Sequence, residues 1–286
     1  MKNLKSSLAG QWYSDDAQEL SEELESYISN VPEKDKLDNV MAILLPHAGY
    51  QYSGQVAAYG INQIIGRRYK RVIVLGPTHR VHMIDTVSIP DYDYIETPLG
   101  RQPLDIEFIQ KLREHPEVLS IEQVHKHEHS VQIEIPLLQY VFDDFKLVPI
   151  VVGHLDIETI KKIAKILVDN IDNETLIVVS SDFTHYGKAF GYLPFYGDVE
   201  NNLKALDMGA FRHIENRDVD GFLDYIENTG ATICGRYPIA ILLAMLPDKA
   251  SVELLNYQTS GHITGDWSHC ISYVSAAFTG KRENSG

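Results

Sequence analysis

Short apolar runs alternate along this chain with longer stretches in which apolar residues recur at helical spacing. The short runs are rich in β-branched residues and predict strands, several of them apolar at every position as in strands covered on both faces. The predicted strands are 40–45, 71–75, 146–152, 175–179, 251–256 and 270–278, and the predicted helices are 54–65, 105–115, 130–142, 156–170, 199–214, 219–228 and 237–246. This alternation predicts an α/β fold of three layers (α/β/α), in which helices cover both faces of a mostly parallel, mixed sheet.

No internal repeat, low-complexity tract or Pro/Gly/Ser-rich linker divides the chain, so a single domain over residues 1–286 is expected. Residues 90–103, with the sequence PDYDYIETPLGRQP, are interpreted as an irregular excursion rather than regular structure. The segment from about residue 280 is predicted to be a frayed tail.

Composition excludes several classes of protein. A net charge of -15 argues against binding to nucleic acid or to an anionic membrane, since both surfaces are themselves negative. The longest apolar stretch, 239–246, is too short to span a bilayer. With no secretory signal pattern and only two cysteines, the chain is predicted to be cytoplasmic, and a homo-oligomer is compatible with its size.

Three predicted strands are followed by a histidine. His47 follows the run AILLP, His79 follows VIVLGPT, and His185 follows LIVVSSDFT together with Asp182. The loops at the carboxyl ends of parallel strands are where ligands bind, and imidazole is the commonest metal-binding nitrogen, so a shared metal or catalytic site is predicted. For each histidine taken alone, a structural role such as a turn hydrogen bond or a core contact is favoured.

Cys234 is the candidate third metal ligand, because it comes just before a predicted helix start, where the helix dipole favours a thiolate. The alternative, a small buried hydrophobe, is favoured for Cys234 when the cysteine is considered alone, and it fits Cys270 much better still. Asp182 and His185 fit an acid/base pair, although the sequence SSD also fits a turn or a helix N-cap.

Other residues are assigned to the surroundings of this site. His129, at the start of a predicted helix, is expected to face the cleft, whereas His125 and His127 are expected to be solvated, and a second metal site in this segment is not favoured. Tyrosines near the histidine loops either wall a pocket or pack the loops on the sheet. The residues assigned to contact a substrate or to surround the metal are His129, Tyr52, Tyr50 and Arg236, with Tyr186 and Tyr192 as further aromatic candidates.

Several of these segments resemble the Memo family, whose bacterial and archaeal members are labelled AmmeMemoRadiSam system protein B. The resemblance rests on AGQWY, PHAGYQYSG, GPTHR, EHSVQIEIP, VPIVVG, SSDFTHYGKAFGY, TICGRYPI and LNYQTSG, in this order over nearly the whole chain. It implies a fold similar to the class III extradiol ring-cleaving dioxygenases, in which two histidines and a carboxylate hold non-haem iron.

The resemblance also implies roles for particular residues. His47 and His79 correspond to the two histidine ligands, Cys234 falls where the dioxygenases have glutamate, and His185 falls where they have the catalytic histidine, with Asp182 beside it. The chain departs from the family pattern at two places. Thr184 replaces an expected cysteine or serine, and Gln132 replaces an expected glutamate, with Glu134 two residues further on.

These features lead to a first hypothesis of function. A thiolate in place of a carboxylate favours softer metals or a more covalent iron site. We therefore expect a mononuclear metal site, with Fe(II) first and copper or zinc as alternatives, that performs redox chemistry on an unidentified small molecule or peptide. The alternatives are a catechol-type extradiol dioxygenase, a binding module that holds a peptide or protein without catalysis, and a zinc hydrolase.

Overall fold

Strands and helices alternate through most of the chain. The computed structural model describes residues 2–33 and 36–282. Its strands are, in chain order, β1 (Asn3–Lys5), β2 (Val40–Leu45), β3 (Arg71–Pro77), β4 (Val87–Ser88), β5 (Tyr94–Thr97), β6 (Gly100–Pro103), β7 (Val118–Leu119), β8 (Lys146–Val152), β9 (Thr175–Ser180), β10 (His185–Gly187), β11 (Ser251–Thr259) and β12 (His269–Thr279).

The helices lie between these strands in sequence. They are α1 (Ala17–Ser29), α2 (Tyr50–Ile64), α3 (Ile106–Leu112), α4 (Glu122–His127), α5 (His129–Gln132), α6 (Glu134–Val141), α7 (Ile157–Val168), α8 (Val199–Glu215), α9 (Val219–Thr229), α10 (Arg236–Met245) and α11 (Ser260–Thr264), with one 3₁₀ turn at Lys188–Phe190. The large helices and strands match the predicted segments in type, which confirms the predicted α/β class.

Within the described residues, nine strands form one mixed sheet. Its order is β10-β12-β2-β9-β3-β8-β4-β7, and β11 pairs with β12. The four central strands β2, β9, β3 and β8 are mutually parallel, whereas β12 runs antiparallel to both β2 and β11. Every residue of β2 and β9 is buried, as expected for central strands that are covered on both faces.

The connections between parallel strands place helices on both faces of this sheet. The chain passes from β2 through α2 to β3 in one direction across the sheet, and from β8 through α7 to β9 in the other. Because parallel crossovers are right-handed, the two helices cover opposite faces. The structure thus confirms the predicted three-layer α/β/α arrangement of helices around a mixed sheet.

The strand register brings the ends of β2, β9 and β3 to one edge of the sheet. Leu45 of β2 lies opposite Ser180 of β9, and Leu75 of β3 lies opposite Val179. The residues that follow these positions therefore leave the sheet side by side. Through this register, loops that are distant in sequence meet above the carboxyl ends of three adjacent strands.

The structure differs from the sequence-based predictions at three places. Residues 90–103 are not irregular, because β5 and β6 form an antiparallel hairpin that joins β1 in a small separate sheet. Helix α1 was not predicted at all, since only Leu20 and Leu24 are buried along it and the apolar stripe is correspondingly narrow. The helix predicted at 54–65 begins earlier, at Tyr50.

The carboxyl-terminal part of the described chain is held against the sheet. The guanidinium of Arg282 donates to the carbonyl oxygens of Asp172, Thr175 and Met41 at 2.7–3.0 Å. The remainder of the predicted frayed tail, residues 283–286, lies outside the described residues. Within 2–33 and 36–282, no helix combines the length and the apolar character that a membrane crossing requires.

Candidate metal centre

Two imidazoles and one thiol converge above the ends of the central strands. The candidate ligand atoms of His47, His79 and Cys234 all lie within 4.8 Å of one another. The Cys234 Sγ is 3.1 Å from the His47 Nε2, and the rings of His47 and His79 are nearly perpendicular, with centroids 5.2 Å apart. The structure therefore brings together the three residues that the sequence analysis proposed as ligands.

His47 is fixed by residues at the end of β9. Its backbone N–H donates to the Asp182 carboxylate at 2.8 Å, and its Nδ1 lies 3.0 Å from the Ser180 hydroxyl. The side chain is 1% exposed, and burial together with the nearby imidazoles lowers its pKa well below the ordinary value. His47 is thus neutral, with its Nε2 directed toward the sulfur.

His79 is the exposed member of the trio and is oriented by Glu128. The carboxylate of Glu128 accepts from both the backbone N–H and the Nδ1 of His79, at 2.6 and 2.8 Å. Burial disfavours the imidazolium of His79, but the hydrogen bonds to Cys234 and Glu128 outweigh burial and raise its pKa. A carboxylate at Nδ1 leaves Nε2 as the nitrogen for a metal, an arrangement common among metal-binding histidines.

Cys234 reaches the site from the residue before the N-cap of α10. Its Sγ lies 3.8 Å from the Ser181 hydroxyl, and the same hydroxyl accepts from the backbone N–H of Gly235 at 2.9 Å. Burial raises the pKa of the Cys234 thiol, an effect that the hydrogen bond to His79 partly offsets. Metal binding must therefore displace a proton from the sulfur, so affinity should fall as the pH is lowered.

The sequence SSD at residues 180–182 is thus more than a turn. Ser180 contacts His47, Ser181 contacts both Cys234 and Gly235, and Asp182 binds the backbone of His47. Each of the three residues holds a candidate ligand in place. Burial also raises the pKa of the Asp182 carboxyl to about 7, although the backbone amides of His47 and Ala48 oppose the change.

His185 presents an unprotonated nitrogen to the site. Its Nδ1 donates to the carbonyl oxygens of Phe183 and Thr232 at 3.0 and 3.2 Å, which fixes the tautomer with the proton on Nδ1. Burial lowers the pKa of this imidazole, so the ring is neutral and its Nε2 can accept a proton. Asp182 and His185 line the same cavity, but the structure gives no hydrogen bond that joins their side chains.

His129 stands beside the proposed ligands, as expected. Its ring stacks on that of His79 with centroids 4.3 Å apart, and it lies 5.1 Å from the ring of His47. His79, Glu128 and His129 form a second group of potential donors. The carboxylate of Glu128 already accepts hydrogen bonds from His79. We therefore interpret this group as residues that orient the His79 ring, not as a separate metal site.

These residues open into a cavity of about 530 Å³. Its walls combine His47, His79, His129, Asp182 and His185 with four aromatic side chains, Trp12, Tyr52, Phe190 and Tyr273. Further polar wall residues come from the segment around α11, among them Ser260, Asp266 and His269. The cavity is therefore large enough for a small organic molecule or a peptide side chain.

Some residues assigned to this region lie elsewhere. Tyr50 is fully buried and its hydroxyl donates to the Ile133 carbonyl, while the Arg236 guanidinium lies over the Tyr237 ring, and neither residue lines the cavity. Tyr186 and Tyr192 pack their loops, donating to the carbonyl oxygens of Phe195 and Thr229. Cys270 is buried, in agreement with its interpretation as a small hydrophobe.

His125 was expected to be solvated and is not. It is 5% exposed, and its Nε2 lies 2.9 Å from the hydroxyl of Ser88, which is fully buried. The prediction failed because α4 packs this histidine against β4, a contact between segments that are distant in sequence. His127, two residues further on, is exposed as expected.

Four residues of the site were not predicted from sequence, namely Glu128, Ser180, Trp12 and Tyr273. Glu128 caps the short helix α5, accepting from the Ser130 N–H at 3.0 Å, and this role was a usable signal because a carboxylate preceding a helix start is a common N-cap. Trp12 lies in the recognised segment AGQWY, and its ring is 4.6 Å from that of His129. Nothing local in sequence marks Ser180 or Tyr273 as residues of the site.

The family model and the curated relatives that match this chain all point to one family. A family model described as "Memo-like protein" matches residues 5–277. The MEMO1 family protein MHO1 of Saccharomyces cerevisiae is 29% identical to this chain, with 95% of this chain and 97% of that protein covered. The MEMO1 family protein PF1638 of Pyrococcus furiosus is 31% identical, with 94% and 96% covered.

A solved structure supports the fold alone. The crystal structure of the uncharacterized protein JW3007 from Escherichia coli K12 matches with a TM-score of 0.51 and 12% sequence identity. The match covers 82% of this chain and 99% of that chain. At this identity the likeness concerns the arrangement of sheet and helices, not the chemistry.

Proposed function

The chain belongs to the Memo family, and on this basis we propose that it binds one iron or copper ion through His47, His79 and Cys234. The observation that carries the proposal is the convergence of two imidazoles and one thiol within 4.8 Å, with both imidazoles lining a cavity. Fe(II) is our first choice, in keeping with the resemblance to the extradiol dioxygenases, and copper suits the thiolate.

The donor set fits a metal ion of this class. Each imidazole has its Nδ1 occupied, by Ser180 for His47 and by Glu128 for His79, so that both keep Nε2 for an ion. Three protein donors leave further coordination positions open to a ligand in the cavity. Such an ion would supply electron transfer or polarisation of a bound molecule.

The surrounding residues supply proton transfer and binding. The Nε2 of His185 is placed to accept a proton from a molecule in the cavity, because both hydrogen bonds that hold the ring use Nδ1. Asp182, with its pKa raised by burial to about 7, can hold or release a proton near neutral pH. Trp12, Tyr52 and Tyr273 offer flat surfaces that exclude water from one side of a small organic substrate.

Metal analysis tests the proposal directly. Protein purified without added metal is expected to carry about one ion per chain, whereas the double variant His47→Ala, His79→Ala is expected to carry only background metal, because two of three donors are gone. The variant His82→Ala, at an exposed histidine that is not among the candidate ligands, is the control and should match the wild type. Retention of the same ion by the double variant would contradict the assignment.

The identity of the ion separates the remaining alternatives. Iron or copper in protein from its own host supports redox chemistry, while zinc alone would favour a hydrolase in which His185 acts as the base. Oxygen uptake with a coloured product from a catechol and Fe(II) would favour an extradiol dioxygenase. We further propose that the protein acts in the cytoplasm on a small molecule or peptide that is not yet identified.

A further inference from the structure

We propose that Glu134, a fully buried glutamate that contacts neither the cavity nor an ion ligand, controls the metal-binding nitrogen of His47 through Ser180. The inference rests on the metal centre proposed above. It concerns a positioning residue, because Glu134 acts through the serine and does not itself touch the ion. Two hydrogen bonds in series, from Glu134 to Ser180 and from Ser180 to His47, connect the carboxyl to the imidazole.

The direction of these hydrogen bonds sets the tautomer of His47. The Ser180 hydroxyl donates to the Glu134 Oε1 at 2.8 Å, and the His47 Nδ1 lies 3.0 Å from the same hydroxyl. A serine has one proton to donate, and here it goes to Glu134. His47 must then donate its Nδ1–H to the serine oxygen, which leaves Nε2 unprotonated and facing the sulfur of Cys234 at 3.1 Å.

The Glu134 carboxyl is closed off from solvent, and Ser180 is its hydrogen-bond partner among the described residues. Its side chain is 0% exposed, and no described residue makes a hydrogen bond to its Oε2. Burial raises the pKa of Glu134 well above its usual value, and the nearby Asp182 carboxyl adds to the effect. The proposed chain of hydrogen bonds requires only that Oε1 accepts from the Ser180 hydroxyl, which is the direction in which the structure gives this contact.

Glu134 lies two residues after the position at which the family resemblance predicts a glutamate. The expected glutamate position holds Gln132, which accepts from the Ser7 N–H and donates to the His125 carbonyl, and so ties the amino-terminal segment to α4. The carboxyl of Glu134, two residues later, instead accepts a hydrogen bond from Ser180, the last residue of β9.

If Glu134 only stabilised the fold, replacing it would lower the stability of the protein. If it controls the tautomer of His47, replacing it should lower metal affinity instead. In Glu134→Leu, the Ser180 hydroxyl loses its acceptor and is free to donate to Nδ1 of His47, which moves the imidazole proton to Nε2, the nitrogen needed for the ion. All remaining polar groups keep partners, so the fold should retain its stability. Metal affinity should fall without a loss of stability, a combination that a structural glutamate would not give.

The test is a titration of metal-free protein with Co²⁺, with a chelator as competitor, followed through the thiolate-to-cobalt absorption band. We expect Glu134→Leu and Ser180→Ala each to weaken Co²⁺ binding by about 10- to 100-fold, the usual effect of losing a hydrogen-bond partner of a metal-binding histidine. Glu134→Gln keeps a carbonyl acceptor for Ser180 and should bind within about threefold of the wild type. The double variant Ser180→Ala, Glu134→Leu should be no weaker than Ser180→Ala, because both changes break one chain.

Ser275→Ala is the matched control, because Ser275 is also a buried serine on the sheet and its hydroxyl has no partner among the described residues. It should leave Co²⁺ affinity unchanged, and the thermal midpoint of Glu134→Leu should stay within about 4 °C of the wild type. Unchanged affinity in Glu134→Leu, or additive losses in the double variant, would overturn the inference while leaving the metal centre intact. If Glu134→Leu does not fold, Ser180→Ala decides, and wild-type affinity in that variant overturns the inference. A wild type that binds no Co²⁺ would instead refute the proposed function itself.

Discussion

A Gly235→Ala variant is expected to lose about 2–3 kcal/mol of unfolding free energy and to bind metal at least about tenfold more weakly. The cause is a close approach of two loops. A Cβ at position 235 would lie 2.3 Å from the Ser181 Cβ and 2.4 Å from its hydroxyl oxygen, distances at which atoms overlap. The backbone there has an ordinary φ of -87°, so the strain comes from crowding alone.

The same overlap would displace the candidate ligand beside it. Gly235 follows Cys234 directly, and its N–H donates to the Ser181 hydroxyl at 2.9 Å. A shift of the two loops apart would move the sulfur away from the His47 Nε2, which lies 3.1 Å from it. Stability and metal affinity should therefore fall together.

Urea unfolding and Co²⁺ titration of the same preparations measure both effects. Gly197→Ala is the matched control, because a Cβ at that glycine meets nothing within 4 Å. Its free energy of unfolding should stay within about 0.5 kcal/mol of the wild type. If the Gly235→Ala variant is as stable as the Gly197→Ala control and binds Co²⁺ as tightly, the close approach of the two loops is not needed for stability or for metal binding, and the prediction is wrong.

His125→Gln is expected to make the protein less sensitive to acid. Burial lowers the pKa of His125 to about 3, from an ordinary value of 6.5, and the charge of Arg113 acts in the same direction while Glu128 opposes it. A folded-state pKa below the unfolded one means that stability is present above pH 6.5 and is lost as the pH falls toward 3. Between pH 7 and pH 4.5 this one histidine removes about 2.5 kcal/mol from the wild type.

The measurement compares the free energy of unfolding of wild type and variant at the two pH values. Other titrating groups contribute equally to both proteins, so the difference between them isolates His125. It should shift by about 2.5 kcal/mol in favour of the variant at pH 4.5. His127→Gln, at an exposed position of the same helix, should show no such shift, and an equal shift in both variants would refute the explanation.

The fold was largely predictable because its central strands are apolar at every position. The prediction for Val40–Leu45 agrees with the structure at both ends, and all six residues are buried. The hairpin of β5 and β6 was missed because β6, with the sequence GRQP, lacks the apolar residues that indicate a strand, and because β5 pairs with β1, about 90 residues away in sequence. The start of α2 was placed four residues late, since Gly49 and its tyrosine neighbours look like a turn.

The part of the site that lies in the loops after parallel strands was predictable, because ligands bind at the carboxyl ends of such strands. His47, His79 and His185 follow β2, β3 and β9, which are neighbours in the sheet, so their proximity follows from topology. The partners that orient them were not predictable. Glu128 reaches His79 from 49 residues away in sequence and Ser180 reaches His47 from 133 residues away, and only tertiary packing creates these contacts.

The sequence contains only two tryptophans; one lines the cavity, and the other packs on the segment around α11 that supplies part of its wall. Trp12 lines the cavity and packs on His129, while Trp267 packs on His262 of α11, next to wall residues of the same segment. Intrinsic fluorescence excited at the indole band therefore comes from this region and from nowhere else in the chain. Binding of a metal ion should quench the tryptophan fluorescence, and binding of a ligand that displaces water from the cavity should shift its emission spectrum. Both kinds of binding can therefore be followed in solution without an attached label.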